Sequence, residues 1–437
     1  MKRIMVDMSA TLIHHGHIRL IKKAAEMGEV VIGLTTDEDI LLKKGYKPEL
    51  NFDQRKEILE SLNLVNEVVP TPWMIDNSIL DKHNIDKLVH GDDNSNKVSK
   101  ERLIIFPRTK RISSTELRKK SLESLMQARN EKLMLTPGPA AILPDSLSSI
   151  KPVFGRGDIE FEAVYEETKE WILGLSGQDE LMIAQGSSTF SIELAAKNFI
   201  QGKVLLISTG YYSDRIINFL DKSCDLDLVS YEDFFNYRDK CDWVICAYTE
   251  TSTAFKTDIE KIKSKSEDLG AKLFVDATGS IGLEANHNLA DVVAFSSCKG
   301  LLGITGASFI GYKKQLNLKD SSSSFYSNMY THLEKKVTGP YHVICSLYGI
   351  KNNHGTYLDR IIKSKEFVMK KYINFINRSD NQPLLCTYLN AKIEPKDEGV
   401  VLYQPRSKLK GSVICHFGEV HKDTINLENR ISVLPIK

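Results

Sequence analysis

No stretch of this chain stays apolar for anything near the roughly 18 residues that a membrane-crossing helix needs, so none is expected. An excess of one charge is missing too: 58 Lys and Arg face 57 Asp and Glu, and the formal net charge is +1. Without a basic field there is no general attraction to nucleic acid or to an anionic membrane, and any phosphate must be gripped locally. Cysteine does not occur before Cys224, and the seven present form no C-x-x-C pair, which argues against a zinc site and a disulfide framework. A reducing, cytoplasmic setting fits, and the direct entry into the strand-like Lys2-Arg3-Ile4-Met5-Val6 gives no sign of secretion. Internal repeats are absent, and the low-complexity patch Ser321 to Ser324 reads as a mobile loop.

What is present is length: 437 residues are enough for two or three domains with sizeable cores. Over the first third, short apolar runs (Ile4–Val6, Val30–Gly33, Glu67–Val69, Lys87–Val89, Leu103–Phe106) alternate with helix-period stretches (Ile18–Met27, Asp53–Leu62, Ser78–His83, Thr115–Ser124). Gly28 stands where a left-handed helix cap is expected. This alternation predicts a parallel sheet covered on both faces, with ligands at the carboxyl ends of its strands. Residues 123–132 are polar and helix-prone and are expected to link a domain at 1–122 to a second at 133–437, which opens on Leu135-Thr136-Pro137-Gly138-Pro139. That domain is again α/β. A helix near Phe161–Leu175 and a Gly-Ser turn at Gln185–Thr189 precede strands at Val204–Ile207, Trp243–Cys246, Lys272–Val275 and Val292–Ser296. Past about Lys335 the pattern loosens, and a small C-terminal subdomain is expected.

Two groups of residues carry chemistry. In His14-His15-Gly16-His17, between a strand and a helix, two imidazoles three residues apart can converge on one phosphate, and Gly16 lets it approach the backbone. Attack at the α-phosphorus of a nucleotide builds charge on phosphate oxygens, so the site needs fixed donors more than a strong base. The run from Arg108 to Arg118, with Ser113-Ser114-Thr115 inside it, adds guanidinium groups, hydroxyls and a helix N-terminus for the remaining phosphates. Lys43 and Lys44 are placed to clamp an acceptor's phosphate. Trp73 and Asp76, in a Pro-bounded segment, suit an ammonium by cation–π and ionic contact.

The second group is Asp276 at the end of one apolar run and Lys299 beside Gly300 at the end of another. That pair suits pyridoxal 5'-phosphate (PLP): Lys299 attaches the cofactor and shuttles a proton, and Asp276 keeps the pyridine nitrogen protonated so that the ring draws electrons. Ser187, Ser188 and Thr189 then offer hydroxyls and amides to the cofactor phosphate.

With these motifs together, residues 1 to about 120 resemble the cytidylyltransferases that activate glycerol phosphate, phosphocholine and phosphoethanolamine, a Rossmann-like fold. The H-x-G-H and R-x-x-x-I-S-S-T-x-L-R elements stand in the expected order, and Asp53-Gln54-Arg55 and Gly91-Asp92-Asp93 look like further landmarks. The resemblance implies CTP contacts from Arg55 and Asp92, besides Ser9 and the groups above, and a Mg2+ ion on the triphosphate. It departs at Met8-Ser9-Ala10-Thr11, where the family has G-T-F-D: a carboxylate is missing, and metal ligands are not carried over. From Leu135 through Val420 the chain resembles class V aminotransferases, a PLP-dependent fold type I, and most closely the 2-aminoethylphosphonate transaminases. By that resemblance Tyr212 stacks on the cofactor, Thr251 bonds its phenolic oxygen, and Thr338 reaches its phosphate across a homodimer interface. Two departures are Cys298 for the usual amide and Val413 for the arginine of R-I-G that grips the substrate's acidic group; Arg406 and His416 are the nearby substitutes. The whole chain thus resembles bifunctional 2-aminoethylphosphonate cytidylyltransferase/transaminases, which implies CTP, 2-aminoethylphosphonate and an alanine/pyruvate-type donor and acceptor as partners. The rival reading keeps cytidylyl transfer but directs it to phosphocholine or phosphoethanolamine, with a transaminase of other specificity or an inert PLP-fold scaffold behind it.

Overall fold

The computed structural model describes all residues except 111, 130–131, 152, 320–323, 377–380, 419, 422–426 and 437, and the side chains of 126–129 are also left out. Arg111, Asn130 and Glu131 of the expected linker, Ser321–Ser323 of the expected mobile loop and Glu419 thus lie outside the described residues. The chain divides into two compact units, Met1–Arg129 and Asn130–Lys437.

In the first unit, β1 (Arg3–Met8), β2 (Glu29–Thr35), β3 (Glu67–Thr71), β4 (Lys87–Gly91) and β5 (Leu103–Phe106) form one parallel sheet in the order β3-β2-β1-β4-β5. The order reverses between β1 and β4, and a crevice opens at the carboxyl ends of strands at such a point. Helices α1 (His15–Ala25), α2 (Asp37–Lys44), α3 (Phe52–Glu60) and α4 (Asn77–Lys82) lie in the connections between strands, and α5 (Ser114–Arg129) follows β5. Ile21 and Ala24 of α1 are fully buried against Ile4, Val6 and Ile32, the apolar face that the helix period predicts. The sequence pattern misses α2 because that helix has almost no apolar face: Leu41 and Leu42 are 43% and 78% exposed. Capping holds it instead, with Thr36 at its start, three acidic residues in its first turn and Gly45 at φ 72° at its end. Gly28 is not the expected left-handed cap. α1 ends at Glu26 with φ −66°, and a Cβ at Gly28 would lie 2.1 Å from the Lys2 carbonyl oxygen, so close passage of two chain segments requires the glycine. α5 runs on to Arg129 through most of the segment expected to be a linker.

In the second unit, β6 (Glu180–Gln185), β7 (Lys203–Ser208), β8 (Asp225–Ser230), β9 (Trp243–Ala247), β10 (Lys272–Asp276), β11 (Val292–Ser296) and β12 (Ala307–Tyr312) form a mixed sheet in the order β6-β12-β11-β10-β9-β7-β8. β12 runs antiparallel to both neighbours and the other pairs are parallel. β9, β11 and β12 are buried along their whole length, as expected for strands covered on both faces. Helices α6 (Ile159–Ser176) and α7 (Ser188–Phe199) contribute to that cover. The loosened C-terminal pattern corresponds to short strand pairs, Cys386–Leu389 with Ser412–Cys415 and Ala391–Pro395 with Ile431–Pro435. Leu133–Leu135 pairs in parallel with Val400–Leu402 and so belongs to this subdomain although it opens the unit. Among the described residues no helix is long and apolar enough to cross a membrane.

Candidate functional site

A cavity of about 780 Å³ lies at the carboxyl ends of β1 and β4, lined among others by Asp7, His14, His17, His90 and Arg108. His14 is the N-cap of α1, and its Nδ1 accepts the Gly16 amide at 3.2 Å, while the His14 amide donates to His17 Nδ1 at 3.2 Å. The two rings stack with centroids 3.9 Å apart. Because both Nδ1 atoms accept, each neutral ring carries its proton on Nε2 and presents it as a donor. Burial, then the neighbouring His14, Lys44 and Arg108, push the His17 pKa down to about 3; burial, His15 and Arg108 lower that of His14. A Cβ on Gly16 would stand 3.0 Å from the His14 ring, so the glycine leaves room for that imidazole.

Opposite them, Arg108 pairs with Asp93 at 3.2 Å, and Ser113, Ser114 and Thr115 line the cavity where α5 begins. Ser113 Oγ caps the Glu116 amide at 3.1 Å and Ser114 Oγ donates to the Leu12 carbonyl. Lys44 donates to Ser9 Oγ at 3.1 Å and lies 5.2 Å over the Trp73 ring, and all three line the cavity. Lys43, in contrast, is exposed and is not among the described lining residues.

Three expected residues have other work. Arg55 is fully buried below the cavity, and it donates to the carbonyls of Ser9 (2.5 Å), Thr35 (3.0 Å) and Leu50 (3.1 Å) and to Asp37 (2.5 Å). It fixes the turn that carries Ser9 rather than facing a nucleotide. Arg55→Lys is therefore expected to destabilise the first unit by on the order of 3 kcal/mol in urea unfolding, because a single ammonium cannot satisfy four separated acceptors. A variant as stable as the parent but with a raised KM for CTP would return Arg55 to the nucleotide. Asp76 is the N-cap of α4, accepting from Ser78 Oγ at 2.6 Å and the Ile79 amide at 3.1 Å, and Asp92 is exposed while its neighbour Asp93 lines the cavity. Sequence reasoning missed Asp7, whose carboxylate accepts from Asn96 at 2.6 Å and faces His90 Nε2 at 3.6 Å. Burial raises its pKa to about 6 against the lowering effects of Asn96 and His90. The signal was available: Asp7 is a strand-end carboxylate at the point where the strand order reverses, the same kind of position as Asp276.

The second unit gathers another set. Asp276 ends β10, 5% exposed, with Oδ1 accepting the Thr278 amide at 2.9 Å. Lys299 follows β11, with Nζ 6.0 Å from the Tyr212 ring centre. Burial lowers its amine pKa, against the raising effect of Asp276. Gly138 packs here, since a Cβ would lie 3.1 Å from Lys299 Cγ. Tyr212 is pinned by the buried Glu250, which accepts the Tyr212, Ser213 and Ser252 amides at 3.0, 2.9 and 3.0 Å. Thr251 is buried next to this carboxylate. Ser187 precedes α7 without capping it, which leaves the first amides of Ser188 and Thr189 open, and Gly186 has φ 155° where a Cβ would lie 2.6 Å from Ser308 Oγ. Thr338 is exposed beside Gly339, whose carbonyl accepts from Gln185 at 3.1 Å.

The sequence pattern of the Cytidylyltransferase-like family matches residues 10–120. Glycerol-3-phosphate cytidylyltransferase from Bacillus spizizenii is 39% identical over 125 residues, covering 27% of this chain and 96% of the relative. A 2-aminoethylphosphonate–pyruvate transaminase from Bacillus mycoides is 22% identical over 353 residues, covering 68% of this chain and 96% of the relative. Among solved structures, an aspartate aminotransferase from Thermus thermophilus superposes with a TM-score of 0.58 at 17% identity, covering 68% of this chain and 95% of that one.

Proposed function

Through residues 10–120 the chain belongs to the Cytidylyltransferase-like family, and from that membership, joined to the aminotransferase fold of the remainder, we propose that it makes CMP-2-aminoethylphosphonate. The second unit transaminates phosphonoacetaldehyde to 2-aminoethylphosphonate, and the first condenses that product with CTP. In the second step a phosphonate oxygen attacks the α-phosphorus in line, the bond to the β-phosphate oxygen breaks, and pyrophosphate leaves. The nucleophile is already ionised near neutral pH, so positioning and charge stabilisation govern the rate. His14 and His17 donate Nε2–H to the phosphate oxygens on which charge grows. Arg108 and the start of α5 hold the departing phosphates, and Lys44, over Trp73, clamps the phosphonate of the acceptor. Among the described residues no cluster of three His, Cys, Asp or Glu is suited to a metal, so the Mg2+ of this reading is the ion carried by the triphosphate, and no step is routed through a protein-held metal.

The observation that carries the acceptor assignment is Asp7. Its buried carboxylate lines the same cavity as Trp73, whose ring carries the Lys44 ammonium, and a carboxylate there suits an ammonium-bearing acceptor and has no use for the neutral end of glycerol phosphate. Asp7→Asn is expected to raise KM for 2-aminoethylphosphonate by about 10- to 100-fold while KM for CTP moves little. Since the pKa of Asp7 lies near 6, above the ordinary 3.8, the carboxylate is charged above that pH and neutral below it. Acceptor kcat/KM should therefore fall on acidification through pH 6, and the limb should vanish in the variant. Pyrophosphate release with 2-aminoethylphosphonate, phosphoethanolamine, phosphocholine and glycerol 3-phosphate tests the reading; a preference for any of the last three sinks it.

The second centre fits PLP by an observation of its own. Beside Asp276 and the Tyr212 ring, the buried Thr278 Oγ1 and Arg215 Nε lack hydrogen-bond partners among the described residues, as a missing polar group next to them would leave them. When bound, the cofactor supplies an electron sink for labile C–H bonds. Lys299 would hold the cofactor through its aldehyde and carry the substrate proton, and Asp276 would hold a proton on the ring nitrogen. Tyr212 supports the ring face, Thr251 bonds its phenolic oxygen, and the open amides of α7 with Ser187, Ser188 and Thr189 take its phosphate. Thr338 completes that phosphate site from the second copy of a homodimer, and the enzyme works in the cytoplasm.

A further inference from the structure

A substrate of the second centre carries an acidic group that must be held while its amino end reacts at Lys299. Position 413 does not hold it: Val413 is 3% exposed, inside an apolar cluster with Cys415 and Phe417. His416 does not hold it either. It is 2% exposed, its ring nitrogens lie 2.9 Å from Thr387 Oγ1 and 3.3 Å from Ser364 Oγ, and burial pushes its pKa well below 6.5, so it is neutral and walled off. Arg215 stacks at 4.9 Å on the ring of Tyr212 with its Nε buried, which makes it part of the wall around that ring.

Arg406 lies over a tyrosine ring as Arg215 does, but its surroundings differ. It is exposed, on the loop that leads from Val400–Leu402 into the strand bearing Val413. Its guanidinium lies 4.8 Å from the ring centre of Tyr211 and donates to Tyr211 Oη at 2.6 Å. The Tyr211 ring is 5.3 Å from that of Tyr212, the ring beside Lys299. The loop is fixed at the next residue, where Ser407 Oγ lies 2.6 Å from Ser252 Oγ and accepts the Tyr211 amide at 3.4 Å. Ser252 is itself bound to Glu250, the carboxylate that pins Tyr212. One hydrogen-bonded network thus ties the base of Arg406 to the ring at the reacting centre. Of the five N–H donors of a guanidinium, the phenol takes one, and a forked set is left for an anion.

We propose that Arg406 is the anchor for the acidic group of the amino substrate, doing from a loop what position 413 does not do. This rests on the transaminase reading given above. A long side chain on a loop can meet both a tetrahedral phosphonate and a planar carboxylate, the two acids that exchange an amino group in that reaction.

The test uses the PLP-loaded full chain and ethylphosphonate, which carries the acid but no amine to react. Followed through the change ethylphosphonate causes in the cofactor's absorbance, so that binding in the first unit's acceptor cavity does not contribute, Arg406→Gln should weaken its binding by about 30-fold, the scale of a lost charge-assisted pair, and Arg406→Lys by less. KM for 2-aminoethylphosphonate should rise in parallel with kcat within about threefold, and visible absorbance before ethylphosphonate is added and melting temperature should not move, since the residue is exposed. Ethylphosphonate binding within threefold of the parent in Arg406→Gln overturns the proposal. If the parent binds ethylphosphonate but never transfers an amino group, the transaminase reading fails instead, and the binding comparison still decides the role of Arg406.

Discussion

Replacing His17 with alanine is expected to lower cytidylyl transfer by about 1000-fold while transamination continues unchanged. Loss of one donor aimed at developing charge costs on the order of 100- to 1000-fold, and His17 does more than donate. Its Nδ1 also accepts the His14 amide, so the first turn of α1 and the stacked His14 ring lose their support together. The conservative variants separate these effects. Asparagine keeps an acceptor near the Nδ1 position and should be nearly as inactive as alanine, whereas glutamine keeps a donor near Nε2 and should recover part of the rate. The sign of the pH dependence follows from burial. With its pKa pushed down to about 3, His17 is neutral across the working range, so it contributes no ionisation near 6.5 and the acidic limb belongs to Asp7. Pyrophosphate release across pH checks both points, and a rate in His17→Ala within tenfold of the parent would remove the imidazole from the reaction.

Lys299→Ala is expected to do the converse: yellow holoenzyme absorbance and all amino-group transfer disappear, and cytidylyl transfer from supplied 2-aminoethylphosphonate stays within about twofold. In this reading the residue carries both covalent attachment and the proton transfer. Burial lowers its amine pKa from the usual lysine value, against the raising effect of Asp276, and alanine removes that group without touching the Asp276–Thr278 contact. Absorbance and an alanine half-reaction read the effect directly. Should Lys299→Ala also silence cytidylyl transfer, the two centres would not be independent.

Much of the fold was legible because the parallel strands are short apolar runs and α1 shows a clear helical period. Of the elements that the sequence pattern missed, α2 lacks those signals. α2 is held by caps and charge rather than by an apolar face, and β6 and β12 enter the sheet through pairings with each other that no local pattern encodes. At the sites, the residues read from local pattern stand where that pattern puts them: His14 and His17 at the start of α1, Asp276 at the end of β10 and Lys299 just past the end of β11. Arg55 and Asp76 went astray for the opposite reason. A guanidinium at helical spacing and a carboxylate near a tryptophan look like ligands until burial and capping show where their hydrogen bonds go. Asp7 directly follows the apolar run Ile4–Val6 as a strand-end carboxylate, and the order of the sheet then shows that this end opens on the cavity.

The central claim is that the product of one unit is the acceptor of the other. A phosphorus NMR time course with the PLP-loaded full chain, phosphonoacetaldehyde, alanine, CTP and Mg2+ tests it most directly. The account predicts that a 2-aminoethylphosphonate resonance appears and then gives way to a phosphonate signal coupled to a CMP phosphorus, with pyrophosphate rising in step. Accumulation of 2-aminoethylphosphonate beside unspent CTP, in a sample that consumes CTP once phosphocholine or glycerol 3-phosphate is added, would contradict it.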